Sequence, residues 1–267
     1  MKPIAIFNNG PIRRMQPGFY QACGGDLDRL FSCASGLPLA DFIHIDAEGG
    51  EALPDAGLIA GVILTGSASM VTDRHAWAEA EADWVRRNRN KVPMLGVCFG
   101  HQLLTHALGG TVDWTPSGPE YGTIEVTLTD AAADDPLFAG LPASLNVQSA
   151  HSQAAMVLPP GAQLLAANAT GIQAARFDQQ IWGLQFHPEF EANAMLGLFE
   201  AYRDTYTERG FDVDGLIGRL KDTSHAARFI QTFVRSCLAT ASLRASSPGL
   251  DSAPAPHLTG ASGGPGD

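Results

Sequence analysis

Three side chains in the sequence could together perform covalent catalysis: Cys98, His187 and Glu189. Cys98 follows the apolar run Val92 to Val97 inside Gly96-Val97-Cys98-Phe99-Gly100, and an apolar helical pattern begins at Gln102-Leu103-Leu104. Strand, sharp turn and helix in that order describe a nucleophile elbow with Cys in the place of Ser. Gly96 and Gly100 lack a Cβ, so strand and helix can approach closely while the residue between them takes up a strained conformation that aims its side chain outward. The sulfur would then lie at a helix N-terminus, where unpaired N–H groups and the dipole favour thiolate. His187 ends a second strand-like run, Ile181 to Phe186; Pro188 fixes the next φ, and Glu189 can hold the imidazole from behind. In that arrangement His187 takes and returns a proton while Glu189 fixes its tautomer. Each residue also has a plain alternative. Cys98 reads equally as a buried core cysteine, His187 as a hydrogen-bonded structural residue, and Glu189 as a first-turn helix residue favoured by the dipole.

Elements that could position these groups are legible around them. The first half alternates β-rich apolar runs, Ile4 to Phe7, Leu39 to Ile45, Gly61 to Thr65 and Pro93 to Cys98, with helical patterns such as Ala76 to Asn90. That alternation predicts an α/β fold with a mostly parallel central sheet flanked by helices, whose sites open at the carboxyl ends of strands. From Gly122 the pattern becomes richer in strands: Thr123 to Leu128, Ser144 to Gln148, Gln163 to Ala167, Ile172 to Phe177 and Ile181 to Gln185. Leu216 to Leu238 carries apolar residues compatible with one buried face, a terminal helix or helix pair. Residues 1–200 are expected to form one domain, 201–240 a helical extension packed on it and 241–267 a disordered tail. From Ser246 onward only Leu250 and Leu258 are bulky aliphatics.

Composition excludes several classes of function. In 267 residues, 17 Lys and Arg face 28 Asp and Glu, a formal net charge of -11, which disfavours nucleic acid and anionic membrane surfaces. The densest basic run, Arg86 to Lys91, follows Glu79, Glu81 and Asp83 and reads as the solvated end of a helix. Cys23, Cys33, Cys98 and Cys237 form no CxxC pair, so neither a thiolate metal site nor a disulfide framework is expected. His101 and His106 lack a carboxylate or cysteine partner and read as packing or surface residues. Without an apolar run of ~18 residues or a signal segment, the expected location is the cytoplasm.

Gly-Val-Cys-x-Gly-x-Gln at 96–102 followed by Gly-x-Gln-Phe-His-Pro-Glu at 183–189 resembles the class I (triad) glutamine amidotransferases, in particular the glutaminase domain of GMP synthetase and its stand-alone relatives. The resemblance covers roughly residues 1 to 200. It implies the flavodoxin-like fold of that family, Cys98 as nucleophile, His187 as base and acid, and Glu189 as the group that orients it. It also implies an oxyanion hole of backbone N–H groups from Gly66 and Phe99, and substrate contacts at Ser67, Gln102, His151 and Ser152. No cofactor and no metal are implied. Two positions depart from the pattern: Gln153 stands where an Asp is often found, and Ser67 where a second glycine is common. The chemistry so implied is hydrolysis of the γ-amide of glutamine through a γ-glutamyl thioester, with ammonia passed to a separate synthase subunit. An alternative is a stand-alone hydrolase of γ-glutamyl amines or peptides, because neither a GxxxxGK[ST] phosphate loop nor a Ser-Gly-Gly-x-Asp-Ser motif is present. A catalytically silent binding module is the alternative of another class; retention of all three side chains argues against it.

Overall fold

The computed structural model describes residues 2–14 and 17–246. Its strands and helices begin with Ile4–Phe7 (β1), Pro17–Cys23 (α1), Leu27–Ser35 (α2), Phe42–Ile45 (β2), Gly61–Leu64 (β3), Ala76–Asn88 (α3), Met94–Val97 (β4) and Phe99–Ala107 (α4). Thr111–Trp114 (β5), Glu120–Leu128 (β6), Ser144–His151 (β7), Gln153–Val157 (β8), Gln163–Asn168 (β9), Gly171–Asp178 (β10) and Ile181–Leu184 (β11) follow. Ala192–Ala201 (α5), Arg203–Glu208 (α6), Val213–Gly218 (α7) and Ala227–Ser246 (α8) complete the order.

The central sheet has the strand order β2-β1-β3-β4-β11-β10-β9-β6-β7. The pairs from β2 to β11 are parallel, and only β10 and β6 run against the common direction. Successive side chains point to opposite faces, and here both faces are buried. Ile4, Ile6, Ile63, Leu95 and Val97 pack on one side with Phe31 of α2 and Phe229 and Phe233 of α8. Ala5, Phe7, Val62, Leu64 and Met94 pack on the other with Trp84 of α3 and Leu103 and Leu104 of α4. A parallel core between two helical layers follows from those uninterrupted apolar runs.

Several boundaries differ from expectation. Leu39 to Asp41 form a 3-10 turn after Pro38, and the strand starts only at Phe42; Leu39 is exposed, so a strand there would have nothing to bury. The pattern over Leu216 to Leu238 resolves into a pair, α7 and α8, separated by a short 3-10 turn at Ser224–Ala226. Helix α8 continues to Ser246, past the expected boundary at 240, because Leu238 and Ala241 still pack against the core. The rest of the tail, 247–267, lies outside the described residues. Glu81 is fully buried, although its neighbours Glu79 and Asp83 reach solvent. The small sheet β5-β8 had no counterpart among the expected strands.

Candidate active site

Four adjacent parallel strands, β1, β3, β4 and β11, end side by side, so the first residues beyond each meet at one edge. Beyond β4 comes Cys98, with φ 52° and ψ -106°, a backbone region that few residues other than glycine occupy. The flanking glycines explain how this is held. A Cβ on Gly96 would lie 2.5 Å from the backbone of Gly100, and one on Gly100 would lie 2.2 Å from the carbonyl oxygen of Leu64. Strand β4, helix α4 and strand β3 are therefore in backbone contact around the sulfur, which is buried and faces the Ala150 carbonyl at 3.8 Å.

His187 follows β11 by three residues and is anchored by its N–H to the Gln148 carbonyl at 2.8 Å. Its Nδ1 lies 2.7 Å from Glu189 Oε1, and the ring lines the same pocket as Cys98. Burial works against charge on this imidazole, but the Glu189 carboxylate and the Cys98 sulfur outweigh it and push its pKa up to about 10. Phe190 stacks on the same ring, centroid to centroid 4.4 Å and 5° from parallel. The ring is thus fixed on three sides.

Gly66 follows β3 and sits against both partners. A methyl at this position would lie 3.0 Å from His187 Cε1 and 3.7 Å from Cys98 Cβ. The N–H groups of Gly66 and Phe99 meet no hydrogen-bond acceptor among the described residues. Behind Gly66 a buried network ties the ends of β1 and β3: the Asn9 N–H donates to Thr65 Oγ1 at 2.9 Å, and Asn9 Nδ2 donates to Glu81 Oε1 at 3.2 Å. Burial pushes the Glu81 carboxyl up to about 8, with the Asn9 bond opposing it.

The antiparallel half of the sheet returns to the same place. The end of β7 brings Ala150, His151 and Ser152 to the pocket that also holds Cys98, Phe99, Gly66, Ser67, Gln102 and His187. Glu189 stands behind His187. Gln102 lines the pocket and spends its amide nitrogen on the Gln153 carbonyl (2.6 Å) and Gln185 Oε1 (3.1 Å). The His151 ring is used on both sides, by the Gln153 carbonyl at Nδ1 and by Glu120 at Nε2. Its backbone and ring carbons are the parts left to face a ligand. Ser67 Oγ accepts the Ser69 N–H at 3.0 Å, and Ser152 Oγ is 3.2 Å from Tyr121 Oη. Gln153, at the departing position, reaches Thr72 instead of a charged partner.

The sequence model of the family described as glutamine amidotransferase class-I matches residues 43–197, more than half of the chain. The chain is a member of the class I glutamine amidotransferase family. It is 40% identical over 129 residues to a GMP synthase [glutamine-hydrolyzing] of Thermomicrobium roseum, covering 48% of this chain and 23% of that protein. It is 36% identical over 125 residues to a Saccharolobus solfataricus protein that is one of the subunits of GMP synthase [glutamine-hydrolyzing], covering 46% of this chain and 57% of the relative. The matches thus span under two thirds of either relative's own length. In fold it is similar to a glutamine amidotransferase of Thermotoga maritima (TM-score 0.66, 19% identity, 89% of this chain and 99% of that one). It is also similar to a glutamine amido transferase of Methylobacillus flagellatus (TM-score 0.62, 21% identity, 90% and 95%).

The chain completes its pocket with residues outside the family segment. Ile12, Phe19 and Leu27 precede it; Leu198, Tyr202, Thr205, Tyr206 and Arg209 follow it. No motif marks them in the sequence, because they are ordinary apolar or surface residues until α1, α2, α5 and α6 pack over the strand ends. Among the described residues Arg209 is the one Arg or Lys lining the pocket, and no Asp or Glu lines it.

Proposed function

We propose that this amidotransferase hydrolyses the side-chain amide of glutamine to glutamate and ammonia, through a γ-glutamyl thioester on Cys98. One observation carries the reading: a buried imidazole held by Glu189 at 2.7 Å shares one pocket with Cys98, and both lie against Gly66. In this scheme Cys98 Sγ attacks the amide carbon, and the developing oxyanion takes N–H bonds from Gly66 and Phe99. Such donors are each worth roughly 100- to 1,000-fold in rate. His187 passes its proton to the leaving nitrogen, the carbon–nitrogen bond breaks and ammonia departs. Water then adds to the thioester as His187 takes its proton, and glutamate leaves with Cys98 restored. Glu189 keeps Nδ1 protonated so that Nε2 faces the reaction.

Ser67, Gln102 and the backbone at His151 and Ser152 would hold the glutamyl part. Arg209 reaches the same wall through Tyr121, whose Oη it approaches at 3.4 Å, and would attract the α-carboxylate. Residues 1–200 would be the catalytic domain and 201–240 an extension that closes its pocket. That ammonia passes to a synthase on a separate chain is supported by relatives that are themselves single subunits of GMP synthase. The test is glutamate release from glutamine by parent and Cys98→Ala proteins, with intact-mass detection of the acyl-enzyme. The parent should form the adduct and turn over; the variant should do neither while keeping its circular dichroism. Equal turnover by the two would remove Cys98 from the chemistry.

A further inference from the structure

Ammonia is the smallest leaving group an amide can have, and the pocket extends beyond what it requires. The leaving nitrogen must lie beside His187, which protonates it. From that ring an apolar wall continues: Phe190 stacks on His187, and Phe19 meets Phe190 edge-on at 6.0 Å. Leu27 and Ile12 line the same cavity, and these four side chains are almost completely buried. The cavity measures about 270 Å³, near the lower end of small-molecule sites at roughly 300 to 1,000 Å³. Among the described residues no Asp or Glu lines it, in a chain of net charge -11. The one Lys or Arg on its lining among the described residues, Arg209, stands by Tyr121, which reaches Ser152, where the glutamyl α-carboxylate would be held.

Resting on the thioester reading above, we propose that the same site, besides glutamine, takes γ-glutamyl amides whose amine carries an uncharged aromatic or bulky apolar body in preference to those of a small amine. The Phe190, Phe19 and Leu27 wall seats that body. The reaction is the same hydrolysis: the carbon–nitrogen bond to the amine breaks, the His187 proton goes to that nitrogen, and water later replaces sulfur on the acyl carbon. Products are glutamate and the free amine. An aromatic ring moved from water into such a wall gains both area burial and ring contacts, whereas ammonia gains neither.

The experiment compares three substrates on the parent protein: glutamine, γ-glutamyl methylamide and γ-glutamyl benzylamide. The two alkylamides have similar intrinsic reactivity, so their ratio reads the wall. The benzylamide is expected to exceed the methylamide in kcat/KM by about tenfold or more, the scale of discrimination that an apolar pocket provides. Phe19→Leu, a mild change at the far end, should lower that ratio by several-fold. A benzylamide turned over no faster than the methylamide, with glutamine still hydrolysed, would overturn the apolar subsite and leave the thioester chemistry standing. Absence of any acyl-enzyme from all three substrates would overturn both.

Discussion

The two ends of the pocket are built by different means. At the Cys98 end the positions are set by backbone: four strand ends in register, a cysteine at φ 52° and glycines with no room for one more carbon. At the far end they are set by side chains on α1, α2, α5 and α6, with no strained backbone involved. Backbone contact leaves little slack, whereas packed side chains can re-settle around a change of volume. The proposed function follows the same division. Bond-making needs reacting atoms held to within a fraction of an ångström, while recognising an amine body needs only a wall of the right size and polarity.

That contrast can be broken most directly at Gly100. An added methyl would lie 2.2 Å from the Leu64 carbonyl oxygen, and backbone cannot rotate away as a side chain could. Gly100→Ala should cost about 3 kcal/mol or more, the upper range for overpacking, and should remove turnover by displacing Cys98. Urea unfolding with parallel glutaminase assays measures both; a variant as stable and active as the parent would show that the elbow has slack after all. Glu189→Gln tests the next layer. It keeps the shape but loses the carboxylate, and should lower kcat by roughly 1,000- to 10,000-fold, as amide replacement of a triad acid does elsewhere. The sign of its pH effect also follows. With Glu189 gone, burial, which lowers the His187 pKa, loses its strongest opponent. The alkaline limb of the residual activity should therefore move to lower pH from near 10. An unchanged limb would mean that Glu189 does not govern the proton on His187.

The Cys98 end of the pocket was legible in the sequence because each of its residues is tied to a strand end. Cys98, His187 and Gly66 each come within a few residues of an apolar run, and Gly96 and Gly100 mark the close approach in the letters themselves. The far end has no such marker. Phe19 and Tyr206 reach the cavity only because α1 packs on α5, and α6 folds back against β6 through the Tyr121–Tyr206 contact at 4.9 Å. Helical periodicity reveals which face is apolar but not which neighbour covers it. Glu81 shows the same limit from the other side. It falls on the charged stretch of α3, and only the packing of β1 and β3 against that helix takes it out of water.

Glu81 supplies the smallest effect on turnover and the cleanest link between burial and pH. Its carboxyl titrates near 4.5 when unfolded and is pushed up to about 8 when folded. Between those values the native state binds more protons than the unfolded one, so its contribution to stability falls as pH rises from about 4.5 and levels off above about 8. Below 4.5 the group costs nothing, because it is protonated in both states. Two buried oxygens, Asn9 Oδ1 and Glu81 Oε2, lack partners among the described residues, and a proton on the carboxyl would give one of them a donor. Glu81→Gln carries a permanent amide donor instead. The variant should match the parent in urea midpoint near pH 4.5, exceed it increasingly toward pH 8 by up to a few kcal/mol, on the order of 1.4 kcal/mol per unit of pH, and hold a constant margin above that. Turnover at about pH 7 should change by only a few-fold, because Asn9 still anchors Thr65 beside Gly66. A margin that does not vary with pH would mean that Glu81 keeps an ordinary carboxylate pKa in its buried place, and that the network behind Gly66 holds its shape in either charge state.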